Sequence, residues 1–176
     1  MAIQTLQVDQ VDLKILSEIQ KNASLSNREI AKLVGISLPS CLRRTKELKN
    51  NFFLTGAHAN INGSLLNLDL IIYCDVTLEK HTHEDLIHFQ KSMHTLTCVR
   101  ECHMVTGTSD FLLKIIVPDM NAYTTYLTQY LTSNNNIKSV QSRMLVLTSK
   151  KEPGLPIDLL LSPYKNSVHR NKARIA

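Results

Sequence analysis

No stretch of this sequence comes near the ~18 consecutive apolar residues that a membrane-crossing helix needs. The opening MAIQTLQVDQ also lacks the charged-then-apolar pattern of a secretory signal. Both absences predict a cytoplasmic protein that meets no membrane. Paired cysteine spacing is missing too. Cys41, Cys74, Cys98 and Cys102 stand apart in apolar segments, which points to reduced, buried thiols rather than a disulfide framework. A disordered tail is excluded, because 43% of the 176 residues are hydrophobic, enough for one ordinary domain or two small ones. His81, His83 and His88 with Cys98, Cys102 and His103 suggest zinc, but their spacings match no common site, so no metal is expected. Catalysis is not expected either. Cys102 and His103 are strand neighbours that point to opposite faces and cannot pair as nucleophile and base.

What is present is charge, unevenly placed. Residues 1–56 hold eight Lys/Arg against five Asp/Glu, residues 57–149 six against eight, and residues 150–176 six against two. The net charges are +3, −2 and +4, so a polyanion is expected at the two ends while the middle has another task.

The basic front reads as three helices. DLKILSEIQ sets Leu13, Ile15, Leu16 and Ile19 along one side. Ser26 and Glu29 form an S-x-x-E capping box ahead of a helix whose inner face is assigned to Ile30, Ala31 and Leu33. That helix stops at VGIS, where Gly35 supplies a left-handed turn. Ser37 caps the next helix, Pro39 is tolerated in its first turn, and Cys41, Thr45 and Leu48 mark its buried stripe. A short helix, a Gly turn and a second helix with a basic outer face is a helix-turn-helix. The DNA-binding residues expected are Ser37, Pro39, Ser40, Arg43, Arg44, Lys46 and Lys49. Ser40 and Arg43 would reach base edges, and Lys49 would act alike at all sequences. Arg44 has two open readings, a phosphate or an acidic residue of its own domain.

The middle alternates strands and helices. LDLIIYCDVTLE puts Leu70, Ile72, Cys74, Val76 and Leu78 on one face. Thr82 with Asp85 starts a helix carrying Leu86, Ile87, Phe89 and Met93. Two strands flank VTGTSDF, and Asp119 caps a helix with Tyr123, Tyr126, Leu127, Tyr130 and Leu131. SVQSRMLVLTS gives the last strand. The order is βαββαβ, the ferredoxin-like split motif, with one sheet face bare. That face, with Ile71, Tyr73, Leu112, Ile116 and Leu145, is expected to meet a second copy.

DQVDLKIL, SNREIAKLVGIS, PSCLRRTKEL and ECHMVTGTSDFLLKIIVPDMNAY together resemble the leucine- and asparagine-responsive regulators, the Lrp/AsnC transcription factors. The resemblance covers about residues 8–149. It implies an α+β protein: a helix-turn-helix domain over 1–56, a connector with a strand over 57–67, a ferredoxin-like regulation-of-amino-acid-metabolism domain over 68–149, and here a basic tail over 150–176. It also implies double-stranded DNA as partner, dimers that assemble further into octamers, no cofactor, and a small amino acid bound near the turn of the middle strands. Arg44 and Leu48 match the family's recognition helix. The effector residues implied are Met104, Gly107, Thr108, Ser109, Asp110 and Ser142. The amides of Gly107 and Thr108 would hold a carboxylate while Asp110 meets an ammonium; the plainer reading is a hairpin turn with a structural Asp. Two positions depart from the family. Phe52 replaces the Gly that ends the third helix, so Asn51 is expected to take the left-handed turn, and Ser109 replaces an aromatic before the Asp. The competing function is a ligand-binding or oligomerisation module without specific DNA binding.

Overall fold

A computed structural model describes residues 8–132, 136–152 and 154–161. The described residues up to 59, together with those from 150 onward, form one compact unit, and residues 60–149 form another.

The first unit is built on α1 (Gln10–Lys21), α2 (Asn27–Val34) and α3 (Leu38–Asn50). Helix α1 opens on a capping box: Asp12 N–H donates to Asp9 Oδ1 at 2.8 Å and Asp9 N–H returns to the Asp12 carboxylate. The expected Ser26–Glu29 box starts α2. Ile15, Ile30, Ala31, Cys41 and Leu48 form the core, with Val34 and Leu25 packed against it. Leu33 is not on that face and is 60% exposed. It lies two residues, roughly 200°, around the helix from Ala31, whereas Val34 follows Ala31 by about one turn.

Helix α3 ends unexpectedly. Asn51 keeps an ordinary φ of −94°, and the left-handed residue is Phe52, φ 59°. Bonds from Phe52 N–H to Lys49 O and Phe53 N–H to Leu48 O close the end. An aromatic residue there carries Cβ strain of roughly 1–2 kcal/mol, and its ring, 82% exposed, recovers little by packing. Phe52→Gly should therefore raise stability by up to about 1 kcal/mol, the strain relieved less the extra chain entropy of Gly. Chemical denaturation of the two proteins checks this, and an unchanged or lower midpoint for Phe52→Gly would contradict it.

Residues 150–152 and 154–161 belong to this unit. The Gln20 side chain binds the Leu155 backbone at two points, Nε2 donating to its O and Oε1 accepting from its N–H, both at 2.8 Å. Gly154 lies beside it at φ +87°, and a Cβ there would sit 2.3 Å from Gln20. A short helix α6 (Asp158–Leu161) follows. Lys165, Arg170, Lys172 and Arg174, the remaining cations of the basic tail expected to add nonspecific DNA affinity, lie outside the described residues.

The second unit is a four-stranded antiparallel sheet, order β2-β3-β1-β4, from β1 (Leu70–Leu78), β2 (Val99–Met104), β3 (Phe111–Val117) and β4 (Ile137–Met144). Helices α4 (His83–His94) and α5 (Met120–Tyr126), the latter continuing as a π-helical stretch to Thr132, cover one face. Thr82 and Asp119 cap them as expected. Ile72, Cys74, Val76 and Leu78 of β1 alternate into the core with Phe111, Leu113 and Ile115, and the rings of Phe89 and Phe111 meet at 4.6 Å. Tyr123, Tyr126 and Leu131 are buried, whereas Tyr130 is 45% exposed against the Tyr126 ring. The connector holds no strand among the described residues; Gly63–Leu66 form a 3-10 turn. An isolated extended segment has no neighbour with which to form a ladder.

Candidate DNA-binding helix and effector turn

Helix α3 follows a turn made by Gly35 at φ +77°, whose N–H and that of Ile36 both donate to Ala31 O. Open space surrounds the position of a Gly35 Cβ, so the backbone conformation alone calls for glycine. Ser37 stands at the N-cap of α3, but its hydroxyl makes no capping bond. Along the outer surface Pro39, Arg43, Lys46 and Lys49 follow at spacings of four, three and three, all exposed, while Ser40 is half-buried. Arg43 pairs with Glu47 at 2.9 Å, one turn away and mostly in solvent.

Arg44 is different. Its Nη1 contacts Asp9 at 2.7 Å and Asp12 at 2.8 Å, and only 22% of the side chain is exposed. Donating hydrogen bonds to Asp12 and then to Asp9 raises the guanidinium above its ordinary range. Asp9 is held below the usual carboxylate range, first by the Asp12 backbone N–H and then by Arg44. Of the two readings open for Arg44, the structure has the internal clasp. Sequence reasoning missed Asp9 as cap and as partner, although the D-x-x-D box before an apolar run was there to read.

In the second unit the turn after β2 is tied to the end of β1. Asp110 N–H donates to Val76 O, and its Oδ2 accepts from Leu78 N–H at 2.8 Å. Thr77 Oγ1 donates to Thr108 O at 3.3 Å. Ser109 donates to Asp75, which also pairs with Arg143. Gly107 takes φ +126°, and the amides of Gly107 and Thr108 are exposed and donate to no group among the described residues. Met104, 53% exposed, ends β2 beside this turn, paired with Phe111.

Ser142 does not join this group. It pairs with Cys74, about 13 Å along β1 from Leu78 at strand spacing, and its hydroxyl bonds Tyr123 OH on the helical side. Burial pushes the Tyr123 phenol up to about 12, with Cys74 adding to the rise. Cys74, Cys98 and Cys102 are likewise raised by burial, which keeps the thiols protonated and poor as nucleophiles. A groove of about 750 Å³, lined by Leu66, Leu68, Ile116, Tyr126 and Tyr130, lies toward the Val117 end of β3, away from the turn.

These two arrangements have known counterparts. A family model described as Lrp/AsnC ligand binding domain matches residues 71–155, and one described as winged helix-turn-helix DNA-binding matches residues 8–51. The chain belongs to the Lrp/AsnC family. A leucine-responsive regulatory protein of Rhizobium meliloti is 33% identical over 141 residues, covering 80% of this chain and 90% of that protein. One from Escherichia coli is 37% identical over 116 residues, 66% of this chain and 71% of its own length. A Neisseria meningitidis transcriptional regulator, solved as a complex with L-methionine, matches with a TM-score of 0.83 at 30% identity over 88% of this chain and 100% of that one. Like its Lrp/AsnC relatives, the chain is a transcription regulator with a helix-turn-helix DNA-binding part and an amino-acid-responsive ligand-binding domain. No helix among the described residues is long and apolar enough to cross a membrane.

Proposed function

We propose that this regulator reads its operator with the exposed row on α3 and senses a free amino acid at the turn after β2, without catalysing any reaction. Arg43 and Ser40 read base edges, while Pro39, Lys46 and Lys49 lie along the backbone, with Ser37 at the helix entrance. Arg44 supports the helix from within. At the turn, the amides of Gly107 and Thr108 receive the effector carboxylate and Asp110 the ammonium, with Met104 and Ser109 as walls; Ser142 contributes through Tyr123 rather than by contact. The observation that carries this reading is the turn's chemistry. Two N–H donors, on exposed residues and bonded to no group among the described residues, share one short turn with a carboxylate, which suits a zwitterion. Dimers form through the bare sheet face, where Ile71, Tyr73, Leu112, Ile116 and Leu145 are only half-buried. Higher assembly builds on that dimer, and the protein acts in the cytoplasm.

One experiment tests both halves. Footprinting on the region upstream of the protein's own gene, at physiological salt, is run with and without each standard amino acid, alongside random DNA as competitor. Specific protection is expected, and at least one amino acid should shift its midpoint in wild type and not in Asp110→Ala. Protection no better than on random DNA would sink the DNA reading; no response to any amino acid would sink the effector reading.

A further inference from the structure

Asp110 carries two jobs at once. Its Oδ2 is held by the Leu78 N–H at 2.8 Å, and its Oδ1 lies 3.3 Å from Nδ1 of His81. Leu78 is part of β1 and fixed in the sheet by its pairing with Ile137. His81 is not fixed in this way: it sits in the loop between β1 and α4 with a side chain 55% exposed. One carboxylate oxygen is therefore anchored for good, while the other faces a group able to swing into solvent. That second oxygen is the one left for a ligand's ammonium.

We propose that His81 belongs to the effector site and competes with the bound amino acid's ammonium for Asp110 Oδ1. This rests on the effector reading above and adds a residue to it. In the free protein the imidazole occupies the cation position; the effector displaces it on binding. Protonated imidazole forms a charge-assisted contact with the carboxylate and is the stronger competitor, whereas neutral imidazole is held by one ordinary hydrogen bond. Acidification should therefore weaken effector binding, although the ammonium and carboxylate of the ligand keep their charges throughout that range. Neighbouring segments add further charges: Asp75 on β1 with Arg143 of β4 against it, Glu79 and Lys80 ahead of His81, and His83, Glu84 and Asp85 at the start of α4. Histidine is the side-chain type that ordinarily changes charge between about pH 5 and 8, so His83 is the control position.

The test is calorimetric titration of wild type, His81→Ala, His81→Lys and His83→Ala at about pH 8 and pH 5.5, bracketing the ordinary histidine range. The ligands are the standard L-amino acids, with L-methionine and L-leucine first. Wild-type affinity for the amino acid that binds should fall roughly fivefold or more on acidification, a coupling of ordinary size. His81→Ala should lose most of that fall and bind more tightly than wild type at the acid pH. His81→Lys, a permanent cation, should bind weakly at both, and His83→Ala should follow wild type. If His81→Ala weakens binding equally at both pH values, or keeps the wild-type profile, the competition does not occur while the effector reading stands. If no amino acid binds wild type even at about pH 8, both fall together.

Discussion

Replacing Arg43 with Ala should lower affinity for the operator by roughly 1–3 kcal/mol, about 5- to 150-fold, the usual worth of one bidentate base contact. Random DNA should lose far less, because only one cation is removed from a row that also holds Lys46 and Lys49. In the free protein Arg43 is occupied by Glu47, but both side chains are more than half exposed. An exposed pair one helical turn apart contributes only about 0.3–0.5 kcal/mol, so releasing the guanidinium to a guanine edge costs little. Glu47→Ala should consequently bind DNA slightly more tightly, having lost both a competitor and a repelling charge. Lys49→Ala should weaken specific and random DNA alike and flatten the salt dependence by about one counterion. Filter binding of all three variants over a salt series separates the roles. Equal losses for Arg43→Ala on operator and random sequence would remove it from the base-reading position.

Much of the architecture was legible because its signals are local. The Ser26–Glu29 box, the Thr82 and Asp119 caps and the period-two burial of β1 each depend on residues within a few positions of one another. The candidate turn was equally readable, as its donors and Asp110 fall in one short stretch. What escaped depends on distance or on competition. Gln20 and Leu155 are 135 positions apart, and no pattern along the chain announces that an amide side chain will clasp a backbone there. Ser142 was grouped with the turn by resemblance, but the register with Cys74 sends its hydroxyl to Tyr123. At the end of α3, Asn51 has the better left-handed propensity, yet Phe52 takes that conformation because the Phe53 N–H reaches back to Leu48 O. His81 was read only as a weak metal candidate. Its nearness to Asp110 follows from the loop connecting β1 to α4, which sequence spacing does not orient.

Arg44→Ala should destabilise the first unit by roughly 1–2 kcal/mol, between the small worth of exposed pairs and the larger cost of breaking buried ones. The guanidinium lies between two carboxylates whose own positions are set by the α1 capping box, so its removal leaves like charges facing each other. Arg44→Lys should recover only part of the loss: both acids are met by the single Nη1, whose charge an ammonium can imitate, but an ammonium is more strongly hydrated and gives up more on leaving water. The pH dependence carries the assignment. Asp9 is depressed in the folded state, so its contribution is present above the ordinary carboxylate value, about 4, and is lost as pH falls through the folded value. Glu29, depressed by its bonds to Ser26, acts with the same sign. Without Arg44 the acid limb should become shallower but not vanish, because the Asp12 backbone N–H, the largest cause of the Asp9 shift, remains. Thermal unfolding from neutral to acid pH measures this. A wild-type melting temperature at neutral pH with an unaltered acid limb would mean the clasp contributes nothing. Arg44 would then be free to meet a phosphate, and its substitution should weaken DNA binding in the folded protein.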